Sequence, residues 1–216
     1  TKEGALGEGL DAISVHVEQI DRAHFYPDRS LMVLELVVDK ASRRVLGIQG
    51  MNAMGDALAA RISAVAPLLA RGATIEDISN LEVLYSPPFA AAMDIVNVVG
   101  NVAENILGGR FVPMSQEEFE KLWEERDDDE VYFIDARVGR DAVPMIGKHP
   151  EHWHNIPQDE ISGRVGEIPG DKKIVLICNT GLRSYEAQLN LASAGRSDTS
   201  SVMGGLSSAK KLGIDI

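Results

Sequence analysis

One short segment constrains the fold of this chain more than any other. Lys173 to Ile177 has the pattern of a buried strand, and a helical pattern at about 183–194 follows it almost directly. A second buried-strand pattern covers 131–135. Strand, loop and helix in this order are typical of a parallel sheet covered by helices. We therefore predict an α/β domain with a central parallel sheet in the second half of the chain.

The first half has a different order of elements. Strands are predicted at 12–18, 31–38 and 44–49, and helices at 56–70 and 91–107. This order predicts an α+β domain in which helices pack on an antiparallel sheet. The composition changes near Gly108-Gly109, so we divide the chain into domains at 1–109 and 110–216.

Capping residues indicate two further helix starts. Thr74 is a predicted N-cap, and Asp77 stands three residues later in the position of a capping box. Ser115 is the predicted N-cap of a helix that continues to Glu125. The acidic run that follows, 127–130, is predicted to be a solvated loop.

Charge and composition argue against several classes of function. The chain has 33 acidic and 21 basic residues, a formal net charge of −12, which disfavours nonspecific binding to nucleic acid or to an anionic membrane. No apolar run approaches the roughly 18 residues of a membrane span, and no signal peptide opens the sequence. We therefore expect a cytoplasmic protein.

The single cysteine, Cys178, cannot form an intrachain disulfide and nearly excludes a cysteine-based zinc site. Three histidines could suggest a metal, but a proline interrupts them and no matching carboxylate pattern accompanies them. They are His149, His152 and His154. We interpret them as surface histidines of a loop and predict no metal site.

Cys178 stands where a buried strand is predicted to end, the edge at which open α/β sheets bind ligands. A tight loop there points backbone N–H groups inward, and with the helix N-terminus they form an anion cradle. Gly181 allows a positive φ, and Arg183 adds a fixed positive charge. We expect a cysteine in this cradle to be a thiolate at neutral pH and a nucleophile. The predicted cradle residues are Asn179, Thr180, Gly181, Leu182 and Ser184.

The segment Cys178-Asn179-Thr180-Gly181-Leu182-Arg183-Ser184 resembles the active-site loop of rhodanese-type sulfurtransferases. The resemblance extends over about 111–216. Ile134-Asp135-Ala136-Arg137 looks like the family's Asp-x-Arg motif, 147–157 looks like a lengthened Gly-His-Ile-Pro segment, and Gly204-Gly205 matches the late Gly-Gly pair. The resemblance implies a rhodanese-like domain with Cys178 and Arg183 as its catalytic residues.

Loop length separates two chemistries within that fold. Sulfurtransferases carry four residues between the cysteine and the arginine, whereas related phosphatases and arsenate reductases carry one more. Four residues separate Cys178 from Arg183, which favours sulfur transfer. The resemblance implies that Cys178 accepts sulfur from a sulfane-sulfur donor as a persulfide and passes it to a thiol acceptor such as coenzyme A. Asp135 and Arg137 are expected to support the site, either as an ion pair that anchors the loop or through direct substrate contact.

Three motifs in the first half together look like the C-terminal dimerisation domain of flavin-dependent pyridine nucleotide–disulfide oxidoreductases, closest to the coenzyme A-disulfide reductase and NADH oxidase branch. They are His24-Phe25-Tyr26-Pro27, Val45-Leu46-Gly47-Ile48-Gln49-Gly50 and Leu84-Tyr85-Ser86-Pro87-Pro88-Phe89-Ala90. Some members of that branch carry a rhodanese domain after this one. The resemblance covers about 1–107 and implies a homodimer. It also makes Tyr26 and Tyr85 candidates for tyrosines near a coenzyme A thiol, although Tyr85 could instead pack on Pro87-Pro88.

The chain has no Gly-x-Gly-x-x-Gly after a strand, and therefore no dinucleotide-binding fold, and it has no second cysteine. We expect no cofactor in this chain. FAD, NAD(P)H and coenzyme A are implied only for a longer parent enzyme, of which this chain is expected to be the C-terminal portion or a natural remnant.

Two other functions are kept as alternatives. The rhodanese-like fold can serve as a docking domain, so the chain could be a catalytically weak interaction and dimerisation module. The presence of Cys178 and Arg183 argues against this interpretation. A phosphatase or arsenate reductase is disfavoured by the loop length.

Overall fold

The computed structural model describes all 216 residues and divides into two compact units, Thr1–Gly108 and Gly109–Ile216. Each unit has its own hydrophobic core. No helix in the structure combines the length and the apolar character needed to cross a bilayer.

The first unit is an antiparallel sheet with helices packed against it. In chain order its elements are α1 (Lys2–Gly7), β1 (Ala12–Ile20), β2 (Leu31–Asp39), β3 (Val45–Met51), α2 (Gly55–Leu69), α3 (Ile75–Ser79) and α4 (Ile95–Leu107). The strand order is β1-β2-β3, and both neighbouring pairs are antiparallel. Leu36 of β2 pairs with Val15 on one side and Ile48 on the other. The predicted α+β architecture is confirmed.

Helix α4 begins four residues later than predicted. The side chain of Asp94 accepts a hydrogen bond from the backbone N–H of Val96 (3.1 Å), and its extended backbone makes it the N-cap. The predicted start at residue 91 is therefore wrong, because the apolar residues just before Asp94 belong to the segment that connects α3 to α4. The Thr74–Asp77 capping box, by contrast, is confirmed at the start of α3.

The second unit is a parallel sheet between two layers of helices. Its elements are β4 (Pro113–Met114), α5 (Gln116–Glu124), β5 (Val131–Asp135), α6 (Gly139–Lys148), β6 (Trp153–Asn155), β7 (Lys173–Ile177), α7 (Leu182–Ser193), β8 (Thr199–Val202) and α8 (Gly205–Leu212). The strand order is β4-β8-β7-β5-β6, and every neighbouring pair is parallel. The predicted α/β architecture is confirmed, as is the Ser115 cap of α5.

Strand β7 is buried on both faces, and its side chains alternate between two cores. Leu176, followed by Cys178, packs in the core that contains Leu191 of α7. Val175 packs on the opposite face in the core that contains Trp123 of α5. This two-sided burial explains why the strand is a continuous apolar run in the sequence.

The region 139–157 is more ordered than its sequence pattern suggested. It contains α6 and β6, and Pro144 inside α6 obscures the helical signal. The interpretation of its histidines as surface residues of a loop is wrong for His154, which lies in β6, whereas His149 lies in the connection before β6 but is half-buried. The ring of His154 stacks on Tyr132 (3.9 Å between centroids), and His149 meets Trp123 edge-on (4.9 Å). Burial lowers the pKa of both imidazoles.

Candidate active site

The carboxyl ends of β5 and β7 meet at one edge of the parallel sheet. Asp135 is in register with Ile177, and the backbone N–H of Ala136 donates to the Ile177 carbonyl at 2.8 Å. Cys178 is the next residue, so the sheet brings it beside the end of β5. The sequence prediction that Cys178 follows a buried parallel strand at this edge is confirmed.

The sulfur of Cys178 is nearly enclosed by the loop that leads into α7. Cys178 is 2% exposed, and its Sγ accepts a hydrogen bond from the backbone N–H of Gly181 at 3.2 Å. Gly181 is the N-cap of α7 and has a φ of +102°, a conformation that L side chains rarely adopt. The hydroxyl of Ser184, in the first turn of α7, lies 3.5 Å from the same sulfur.

Helix α8 holds the loop from its outer side. The N–H groups of Leu206 and Ser207 donate to the carbonyls of Cys178 (2.8 Å) and Asn179 (2.9 Å). The peptide bonds are trans, so the N–H of Asn179 and of Thr180 point away from α8. The carbonyl groups of the loop therefore point toward the N-terminus of α8. The N–H groups of Asn179 and Thr180 point the other way and can face an anion.

The backbone of the Gly204-Gly205 pair adopts a conformation that favours glycine, and at Gly205 there is also no room for a Cβ. Gly204 and Gly205 have φ values of +72° and +53°. A Cβ on Gly205 would lie 2.8 Å from the carbonyl carbon and oxygen of Asn179, and closer still to the carbonyl oxygen of Cys178. A side chain at this position is therefore incompatible with the observed contact between α8 and the loop.

Asp135 and Arg137 form a buried ion pair beneath the loop. The guanidinium of Arg137 donates through Nη2 (2.6 Å) and Nε (2.9 Å) to the Asp135 carboxylate, which also accepts from Trp153 Nε1 at 3.0 Å. The remaining Nη1 reaches Asn179 Oδ1 at 3.4 Å. This geometry is the one expected of a loop anchor, because two N–H groups of the guanidinium are held by Asp135 while a third reaches the side chain of Asn179.

The other residues predicted to form the cradle are more exposed than Cys178. Asn179 is exposed and Thr180 is half-buried. Leu182 and Arg183 are exposed in the first turn of α7, and the guanidinium of Arg183 makes no hydrogen bond or ion pair. Its positive charge is thus available to a ligand, although the structure does not join it to Cys178. No group of three or more His, Cys, Asp or Glu side chains could hold a metal ion.

The two candidate tyrosines lie on neighbouring connections of the first unit. The backbone N–H of Ala23 donates to the Pro87 carbonyl at 3.1 Å, which joins the segment that carries Tyr26 to the segment that carries Tyr85. Tyr26 is half-buried and its ring contacts Phe25 (5.1 Å between centroids), whereas Tyr85 is exposed. Their role in binding coenzyme A stays a prediction.

Sequence reasoning overlooked Arg61, which ties these connections together. Arg61 is 6% exposed, and its Nη2 donates to Asp94 (2.7 Å) and to the carbonyls of Phe89 (2.9 Å) and Asp21 (3.1 Å). A signal was present in the sequence. Arg61 interrupts the apolar face of α2, three residues after Leu58, and a charge on such a face needs a buried partner.

Comparisons with known proteins match the two units to two families. Residues 1–96 match the pyridine nucleotide-disulphide oxidoreductase dimerisation domain, and residues 115–212 match the rhodanese-like domain. A curated relative, the NAD(P)H sulfur oxidoreductase (CoA-dependent) of Pyrococcus furiosus, is 31% identical over 102 residues, which are 47% of this chain and 22% of that protein.

Two solved structures match nearly the whole chain. The reduced Bacillus anthracis CoADR-RHD is 29% identical with a TM-score of 0.83, and the match covers 96% of this chain and 35% of that one. The NAD-dependent persulfide reductase from A. fulgidus is 35% identical with a TM-score of 0.81, and the match covers 95% of this chain and 35% of that one. The chain therefore spans about a third of the length of these structures and about a fifth of the curated relative.

Proposed function

Because the chain joins a pyridine nucleotide-disulphide oxidoreductase dimerisation domain to a rhodanese-like domain, we propose that it transfers sulfane sulfur through a persulfide on Cys178. We further propose that it acts as the C-terminal portion of a flavin-dependent reductase of coenzyme A disulfide or coenzyme A persulfide. Similarity to a CoA-dependent sulfur oxidoreductase and to a persulfide reductase supports this second part.

The observation that carries the proposal is the environment of the Cys178 sulfur. It accepts from the Gly181 N–H in a loop whose carbonyls at residues 178 and 179 are held outward by α8. Oriented backbone donors of this kind stabilise negative charge on sulfur, because they need no reorganisation when the charge forms. The same donors suit both a thiolate and a persulfide anion.

In the first step the Cys178 thiolate attacks the outer sulfur of a donor such as thiosulfate. A sulfur–sulfur bond forms to Cys178, the sulfur–sulfur bond of the donor breaks, and sulfite leaves with its electron pair. In the second step an acceptor thiolate attacks the outer sulfur of the Cys178 persulfide. The acceptor becomes a persulfide and Cys178 leaves as a thiolate, so neither step gains or loses electrons.

The remaining site residues support these steps. Arg183, exposed beside the loop and without a protein partner, is proposed to attract the anionic donor. Asp135 and Arg137 keep the loop in place through the contact with Asn179. Leu182, 65% exposed in the first turn of α7, offers apolar surface next to the loop.

The longer protein would supply what this chain lacks. Neither unit contains a Gly-x-Gly-x-x-Gly turn after a strand, so these residues do not fit a site for FAD or NAD(P)H, and no step of the proposed transfer uses those groups. Coenzyme A is the proposed sulfur acceptor. Tyr26 and Tyr85 are proposed to lie near a coenzyme A thiol in the reductase site of the longer protein.

Intact-protein mass spectrometry after brief exposure to thiosulfate or polysulfide tests sulfur transfer. We expect a gain of one sulfur, about 32 Da, that coenzyme A or cyanide removes. Since Cys178 is the only cysteine, the Cys178→Ser variant and protein alkylated beforehand with iodoacetamide should show no gain. If no donor adds mass while the thiol still reacts with iodoacetamide, the proposal fails and a docking module becomes the better interpretation.

We also propose that the first unit forms a homodimer. The large apolar side chains that it exposes are candidates for burial in such an interface: Leu6, Leu10, Phe25, Met51, Met54, Leu84, Tyr85, Phe89 and Met93. Sedimentation equilibrium is expected to give twice the chain mass of 23.4 kDa. Leu84, 80% exposed, is a suitable probe. Leu84→Glu should weaken association about thirtyfold if that side chain is buried in the dimer.

Val143→Glu provides a matched control for the dimer, because Val143 is a 62% exposed apolar residue of the second unit. This variant should associate like the wild type. A wild-type chain that sediments at 23.4 kDa across the micromolar range would contradict the homodimer.

A further inference from the structure

Strand β8 carries a fully buried hydroxyl that the proposed mechanism does not use. Ser201 is in register with Leu176 of β7, so its side chain faces the same side of the sheet as Cys178. Burying a hydroxyl inside a sheet costs free energy unless the group is hydrogen-bonded. A small apolar residue would fill this position without that cost, so the hydroxyl calls for an explanation.

The hydroxyl of Ser201 is the first member of a buried chain that ends at the catalytic sulfur. It donates to Ser184 Oγ at 2.9 Å, and Ser184 is itself fully buried. Ser184 has one proton and two acceptors within reach, the Gly181 carbonyl at 3.1 Å and Cys178 Sγ at 3.5 Å. Both hydroxyls lie on elements that flank the loop, β8 and α7, and not on the loop itself.

We propose that Ser201 is a positioning residue for Cys178, acting through Ser184. By donating to Ser184 Oγ, Ser201 occupies one of its lone pairs and fixes the rotation of its hydroxyl, so that the Ser184 proton is directed at the sulfur when the sulfur is anionic. This inference rests on the sulfur transfer proposed above and extends it to a residue with no direct contact to sulfur.

Two physical effects support the direction of the Ser184 proton. A hydroxyl that accepts a hydrogen bond becomes a stronger donor, since the two bonds polarise each other in a low-dielectric interior. An anionic acceptor also competes better for a proton than a neutral carbonyl does, so the thiolate and the persulfide draw the proton away from the Gly181 carbonyl. Loss of the Ser201 hydroxyl removes both the polarisation and the rotational constraint.

The test compares Ser201→Ala with Ser200→Ala. Ser200 is the adjacent residue of β8, is also buried, and is in register with Val175, so it faces the opposite core. The rate of Cys178 alkylation by iodoacetamide near pH 7 should fall about fivefold in Ser201→Ala, the effect of one neutral hydrogen bond. It should be unchanged in Ser200→Ala. Ser201→Thr, which keeps the hydroxyl, should recover most of the rate.

Two readouts distinguish positioning from a general disturbance of the core. Recovery of the rate in Ser201→Thr assigns the effect to the hydroxyl, because that variant keeps the hydroxyl and changes only the packing around it. In a Ser184→Ala background the substitution at Ser201 should have no further effect. Equal alkylation rates for Ser201→Ala and the wild type, or a deficit of the same size without the Ser184 hydroxyl, would overturn the inference.

Alkylation needs no sulfur donor, so this test is independent of sulfur transfer. If the wild-type chain takes no sulfur from thiosulfate or polysulfide, the proposed function fails, and the alkylation rates still decide whether Ser201 acts on Cys178. If sulfur transfer occurs, the rate of persulfide formation should follow the alkylation rates across the same variants.

Discussion

Gly205→Ala is expected to lower the rate of persulfide formation at Cys178 by about 100- to 1000-fold, the range found when an oriented anion donor is lost. The added Cβ would lie 2.8 Å from the Asn179 carbonyl, against main chain that cannot rotate away. Either α8 withdraws or the loop moves. In both cases the bonds from Leu206 and Ser207 to the loop carbonyls break, and the amides of the cradle lose their orientation. The rate is measured by quenched mass spectrometry.

Gly213→Ala separates the lost contact from the cost of the backbone conformation. Gly213 ends the same helix with a φ of +77°, and a Cβ added there would have no other atom within 4 Å. An alanine at this position carries a similar conformational strain of about 1 kcal/mol but leaves the loop untouched. We expect a lower melting temperature with normal persulfide formation. A Gly205→Ala chain that is folded by circular dichroism and forms persulfide at the wild-type rate would refute the role assigned to α8.

Arg61→Ala is expected to destabilise the first unit by about 3–5 kcal/mol, the usual result of removing one partner of a buried ion pair. The substitution leaves the carboxylate of Asp94 buried without its counter-charge, and it removes the donors that hold the carbonyls of Asp21 and Phe89. Urea unfolding followed by far-ultraviolet circular dichroism reports this loss. Arg71→Ala, at an exposed position two residues beyond α2, should cost less than about 0.5 kcal/mol.

Two further measurements test whether Arg61→Ala acts on the first unit alone and through the charge of Asp94. Both tryptophans, Trp123 and Trp153, belong to the second unit, so tryptophan fluorescence should report an unfolding transition that Arg61→Ala leaves in place. Adding Asp94→Asn should restore part of the stability, because the uncompensated charge is gone and an amide oxygen can still cap α4 at Val96. Equal stability of Arg61→Ala and Arg71→Ala would show that the buried pair is not structurally important.

Much of the fold was predictable because its signals are local. The predicted capping box at Thr74 and the predicted N-cap at Ser115 each depend on a residue three positions later in the sequence, and both are present. The apolar run 173–177 and the helix after it were also placed correctly. A signal of this kind is complete within a few residues, so no knowledge of distant contacts is needed.

The elements that escaped prediction share a different property. Strand β8 lies inside the sheet, yet Thr199, Ser200 and Ser201 do not resemble a buried strand. Their polar groups are satisfied from elsewhere, for example by Gln188 Nε2 at the Thr199 carbonyl (2.9 Å) and by the hydroxyl of Ser184. A hydropathy pattern records which groups are polar but not which distant groups will pair with them.

The sequence by itself pointed to the proposed nucleophile and placed the loop that surrounds it. Cys178, Gly181 and Arg183 fall within six residues between a strand and a helix, and the physical chemistry of that turn is contained in its own backbone. Only the tertiary structure decided which distant residues contact the loop and the first turn of α7. The α8 contact at Gly205, the anchor from Arg137 and the hydroxyl of Ser201 come from segments far apart in the chain. Their partners meet only because the parallel strands end at one edge, and that proximity is a property of the folded sheet.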